Sequence, residues 1–139
     1  MTISLWDENI EKPALDLVKN DCSIYCLEWL DENRLLYGDE AGVLRLVDTR
    51  NPEQTLLLNK FPAPVHKIAL QHETSNFAVA CDNRIVSVYK IDEDNKLTLV
   101  YSDRQSHSNF VRGLAWDHKD KNVLHTSGWD GQIKTHKIE

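Results

Sequence analysis

A pattern that returns every 41 to 47 residues limits what this chain can fold into more than any other feature. Ile24-Tyr25-Cys26-Leu27-Glu28-Trp29 aligns with Val65-His66-Lys67-Ile68-Ala69-Leu70 and with Val111-Arg112-Gly113-Leu114-Ala115-Trp116. A second motif occurs four times. Thr2-Ile3-Ser4-Leu5-Trp6-Asp7 aligns with segments beginning at Val43, Ile85 and Gln132, so that Trp6, Val47, Tyr89 and His136 hold one position. The copies alternate with period two and are rich in Val, Ile, Leu and aromatics, which is strand behaviour. Turn formers separate them: Gly38-Asp39-Glu40-Ala41-Gly42, Asp82-Asn83 and Asp130-Gly131. No stretch holds a 3.6-residue apolar period long enough to predict a helix.

A period of ~40–45 residues is the signature of four-stranded propeller blades. Naming each blade's strands a to d from the centre outward, residues 1–19 supply strands c and d of one blade. Residues 20–60 form a full blade and 61–106 another. Residues 107–139 give a last blade lacking its outer strand. The expected fold is all-β, a β-propeller segment of about three and a quarter blades and thirteen strands. A seven-bladed ring needs roughly 300 residues, so the expectation is a C-terminal portion of a longer ring.

Composition narrows the function. The chain has 139 residues, is 41% apolar, and has no apolar run near the ~20 residues that cross a bilayer. Its opening residues do not show a basic segment before an apolar one, the pattern of a secretory signal. The formal charge is −6, and residues 1–60, with twelve acids and six bases, carry that whole excess. Direct nucleic-acid binding, which wants a basic stripe, is disfavoured. Cys22, Cys26 and Cys81 are an odd set that reads as reduced thiols. Cys22 and Cys26 lie roughly 13 Å apart along an extended strand, beyond disulfide reach.

Leu5-Trp6-Asp7 at a strand end, repeated in register by more degenerate copies, resembles the WD40 repeat family. In such blades a histidine, a strand-b hydroxyl, a turn aspartate and a strand-c tryptophan form a hydrogen-bonded network. The resemblance assigns structural roles to His107, Ser127 and Asp130 of the last blade and to Trp6 and Asp7 of the first, with His136 where the tryptophan would stand. Gly38–Gly42 followed by Leu46–Arg50, His107–Arg112, and Gly128–Gln132 are further similar to the methylosome WD-repeat proteins. That resemblance implies a non-catalytic scaffold binding a type II protein arginine methyltransferase and presenting histone or Sm-protein substrates, in cytoplasm and nucleus. It also places the family's major enzyme contact in a first blade outside the matched half. Another WD-repeat adaptor, a ubiquitin-ligase substrate receptor or a trafficking scaffold, is the alternative.

Expected partner contacts are Phe110 and Arg112 near the channel rim, and Trp129 at a turn, since Trp and Arg are enriched at binding hot spots. Asp39 and Glu40, in the acidic part, are candidates for holding basic, Arg-rich tails. Trp29 and Trp116, at the ends of inner strands, are expected in the core. The sequence carries no G-x-S-x-G, no phosphate-cradling glycine loop and no H-E-x-x-H, so neither catalysis, a cofactor nor a metal is expected. His125 and His136, on neighbouring strands, are the one pair weighed as metal ligands, with ordinary packing preferred.

Overall fold

The computed structural model describes residues 1–9, 11 and 13–139. It contains thirteen strands and, among the described residues, no helix. β1 (Thr2–Trp6) pairs with β2 (Pro13–Lys19). β3 (Ile24–Trp29), β4 (Arg34–Asp39), β5 (Val43–Asp48) and β6 (Thr55–Lys60) form an antiparallel sheet in chain order. So do β7 (Val65–Leu70), β8 (Asn76–Cys81), β9 (Val86–Ile91) and β10 (Leu97–Asp103). β11 (Val111–Trp116), β12 (Val123–Gly128) and β13 (Ile133–Lys137) make the last sheet. The sheets are the blades of a partial β-propeller. Their inner strands lie side by side, β3 against β7 and β7 against β11.

Side-chain alternation holds the arc together. Along β8, Phe77, Val79 and Cys81 point into a core shared with Leu36, Leu44 and Leu46 of the preceding blade. Ala78 and Ala80 point the other way, into a core with Val111, Leu114 and Leu124 of the following blade. One strand therefore serves two interfaces, as period two dictates when both faces of a sheet are covered. β4 divides likewise, with Leu36 facing forward and Leu35 and Tyr37 facing Ile3, Leu17 and Val18 of the two-stranded sheet. Burial of this kind, at roughly 25 cal/mol per Å2 of apolar surface, is what binds blade to blade.

Two glycines show where the backbone itself is limiting. Gly42 (φ +84°) turns β4 into β5, and a β-carbon there would lie 2.5 Å from the Phe61 carbonyl oxygen and 2.7 Å from that of Ala63. Gly131 (φ +75°) makes the equivalent turn in the last blade with nothing within 4 Å. Gly131→Ala should therefore lose only the left-handed backbone term, about 1 kcal/mol. Gly42→Ala should lose more, because backbone has to move as well. Urea midpoints of the two variants, compared at equal m, check the order.

The inner strands depart from expectation at Trp29. Leu27 and Trp29 share the open side of β3, and Trp29 is 40% exposed. Trp116 is half-buried, and its indole N–H donates to the Ala69 carbonyl at 2.9 Å, joining the last two blades.

Candidate functional site

The same irregularity occurs once in each inner strand. The β3–β4 register slips between Ile24 and Cys26, the β7–β8 register between Val65 and Lys67, and the β11–β12 register between Val111 and Gly113. Each bulge leaves one residue outside the ladder, and a bulge re-aims that side chain. The three residues are Tyr25, His66 and Arg112, which the repeat alignment already sets in one column.

These residues form a connected row across three blades. The Tyr25 and His66 rings meet edge to face, with centroids 5.8 Å apart. His66 Nδ1 lies 3.3 Å from Asp82 Oδ1, yet the nitrogen is buried and makes no hydrogen bond. Asp82 in turn accepts from the Arg112 guanidinium as an ion pair. The same guanidinium carbon sits 4.4 Å from the Trp129 ring centroid and 5.2 Å from that of Phe110. The Phe110 and Trp129 rings are 5.4 Å apart. Trp129 is anchored by its own N–H to the Phe110 carbonyl at 2.9 Å, and its ring is 62% exposed. Arginine over indole is the strongest cation–π geometry that side chains offer, contributing ~0.5–1 kcal/mol at an exposed site. Phe110, Arg112 and Trp129, three separate expectations from sequence, thus form one cluster.

Asp39 and Glu40 do not act as a pair. Glu40 is exposed, whereas Asp39 is 1% exposed. The Asp39 carboxylate accepts from the Val43 N–H at 3.0 Å, from Asn20 Nδ2 at 3.2 Å and from Arg45 Nη1 at 2.8 Å. Burial pushes its pKa up, but those hydrogen bonds and the Arg45 charge more than offset this and hold it below the usual range. Asp39 is therefore a turn-closing residue with no face left for a basic tail. The expectation that it meets a partner is corrected on that ground.

The network of the last blade is present with a different hydroxyl. His107 Nδ1 lies 2.9 Å from Asp130 Oδ2, and its Nε2 lies 2.7 Å from Thr126 Oγ1. Thr126 Oγ1 is also 2.9 Å from His136 Nε2, and His136 Nδ1 is 3.0 Å from the Tyr101 hydroxyl on the preceding blade. Ser127, the expected member, sits on the opposite side of β12, with its hydroxyl occupying the space a β-carbon on Gly113 would need. In the first blade Trp6 is exposed, and Asp7 accepts only from the backbone and side-chain nitrogens of Asn9 among the described residues. Neither belongs to a comparable network there.

A proton arrangement with His136 neutral satisfies the chain. His107 donates from Nδ1 to Asp130, and Thr126 donates to His107 Nε2. His136 donates from Nε2 to Thr126, and Tyr101 donates to His136 Nδ1. Burial lowers the His136 pKa, outweighing the Asp103 carboxylate that would raise it. A histidine with a depressed folded pKa contributes stability above the unfolded value, near 6.5, that is lost as pH falls through the folded value. Stability should therefore decline from pH 7.5 to 5.5, and His136→Gln, which cannot titrate, should flatten that slope in denaturant melts at both pH values.

His125 and His136 are not brought together. His125 bonds Thr135 Oγ1 and Asp117 Oδ2, both at 3.0 Å, whereas His136 pairs opposite Leu124. Among the described residues, no group of three His, Cys, Asp or Glu side chains could hold a metal ion. The three cysteines are free, and burial pushes the Cys26 and Cys81 thiols up to about 12. Among the described residues, no helix is long and apolar enough to cross a membrane.

No family model matches the sequence. A curated relative, methylosome protein WDR77 of Xenopus laevis, is 29% identical over 140 aligned positions that span 98% of this chain. The chain resembles part of a WD-repeat protein. It spans 41% of that relative's length. Among solved structures, the computationally designed Ika8 protein superposes with a TM-score of 0.78 over 99% of this chain and 40% of its own, at 15% identity. That likeness concerns the fold alone.

Proposed function

We propose that this chain is a non-catalytic WD-repeat scaffold of the methylosome type, working in cytoplasm and nucleus. It binds a protein arginine methyltransferase and helps present histone or Sm-protein substrates for symmetric arginine dimethylation. The observation that carries the reading is the similarity to methylosome protein WDR77 along 98% of the chain. The row from Tyr25 to Trp129 supplies the contact surface. It has the composition of a protein-binding hot spot: exposed aromatics and an arginine whose orientation is already fixed by Asp82 and two rings. Fixing a side chain before binding removes ordering cost from the association, about 0.5–1.5 kcal/mol per rotamer-rich residue.

The test is co-elution of the purified 139-residue chain with a purified type II arginine methyltransferase, alone and with an H4-tail peptide. Complex formation is expected. Trp129→Ala combined with Arg112→Ala should weaken it at least about thirtyfold, the loss of one hot spot, while the melting temperature stays close to that of the parent. Failure of the parent chain to bind enzyme and peptide alike rejects the Tyr25–Trp129 row as the contact surface.

A further inference from the structure

Blades pack tightly near the inner strands and fan apart toward the outer ones. Between the second and third blades this divergence leaves a cleft of about 290 Å3. One wall is the end of β6 and the residues after it, including Lys60 and Phe61. The other is the outward part of the next blade, including Asn83, Ile85, Leu99, Ser102 and Arg104. The chain as a whole is acidic at −6, yet no aspartate or glutamate lines this cleft. Lys60 and Arg104, both exposed, make no ion pair among the described residues. The carboxylate beside Arg104 in sequence, Asp103, is already held by the N–H groups of Gln105 and Ser106 and by the Ser106 hydroxyl. The Asn83 side-chain oxygen is occupied by the Ile85 N–H, which leaves its amide nitrogen to donate.

Uncommitted donors of Lys60, Arg104, Asn83 and Ser102 thus line one space together with the apolar Phe61, Ile85 and Leu99. A lysine supplies a point charge and an arginine a planar fork, the pair of donors that phosphate recognition uses. A phosphomonoester brings roughly −1.5 to −2 charges and three acceptor oxygens, where a carboxylate brings one charge and two. We propose that this inter-blade cleft binds a phosphomonoester carried on an apolar stem, such as a phosphorylated side chain of a partner protein. The phosphate meets Lys60, Arg104, the Asn83 amide and the Ser102 hydroxyl, and the stem lies along Phe61, Ile85 and Leu99. The cleft is separate from the Tyr25–Trp129 row, so the proposal stands apart from the methylosome reading.

The experiment is a titration of the isotopically labelled full chain with phenyl phosphate, O-phosphoserine, phenylacetate and inorganic phosphate, followed by NMR shifts. A saturable response at Asn83, Ser102 and Arg104 is expected for at least one organic phosphate, with a dissociation constant in the low-millimolar range, about −4 kcal/mol. Phenyl phosphate binding ahead of O-phosphoserine supports an aromatic stem, and the reverse order supports a shorter one. Lys60→Gln with Arg104→Gln should weaken binding at least about tenfold. Both residues are exposed, so the variant's spectrum should remain dispersed. Three results would each overturn the proposal: no saturable shift, binding unchanged in the double variant, or inorganic phosphate or phenylacetate binding as well as the organic phosphates.

Discussion

Replacing Phe77 with alanine should lower the unfolding free energy by about 3–5 kcal/mol, the range for deleting a fully buried phenyl group. Phe77 has no exposed surface, stacks on Tyr89 with centroids 6.0 Å apart, and sits in the core that joins the second and third blades. Its loss removes transfer energy and leaves a hole that β-sheet walls cannot collapse into. With total stabilities of about 5–15 kcal/mol, such a loss is a large share. Because the damage lies at an interface between blades, it should also weaken their coupling. A melt that loses its single transition, or a fall in urea midpoint of the stated size, is the expected readout. Phe77→Leu, which keeps most of the volume, should recover most of the loss. If alanine costs less than about 1 kcal/mol, the blades are not held together by this core.

Thr126→Val is the second large effect, and it acts through polarity at nearly constant shape. Valine leaves His107 Nε2 and His136 Nε2 facing each other without the hydroxyl that bonds both. An unsatisfied buried polar atom costs about 1–3 kcal/mol, so about 3 kcal/mol is expected from the two nitrogens. Thr126→Ser, which keeps the hydroxyl, should lose much less. Ser127→Ala should change stability little, since that hydroxyl lies outside the network. Thermal or urea unfolding of the three variants separates them. Equal losses at Thr126→Val and Ser127→Ala would mean that the hydrogen-bonded chain contributes nothing special.

The fold is readable because the strand motifs return every 41 to 47 residues, and the count of thirteen strands and the partial propeller follow from that. What misled was which face a residue takes. Thr126 stands two residues after buried Leu124, and that alternation places it inward and Ser127 outward. The motif's usual position had favoured Ser127 instead. Asp39 reads as one of two adjacent turn acids, but Arg45 lies two strand residues past Val43, opposite Tyr37, and reaches back to it. Trp29 reads as core from its place at the end of an inner strand, while its alternation with Leu27 sets it on the open side of β3. The tightness of the Phe110–Arg112–Trp129 cluster was not legible at all. It depends on a bulge whose position only the register reveals.

The recurring bulge has a corollary for design. A residue that stands outside the ladder is left unpaired by the neighbouring strand, so the ladder itself does not dictate its side chain. Tyrosine, histidine and arginine occupy the column here, an aromatic, a titratable ring and a permanent cation, on three nearly identical frames. Substituting these positions amounts to rewriting a short string of letters on a fixed page. A designer could retarget the molecule by changing residues 25, 66 and 112 together while the scaffold beneath stays intact.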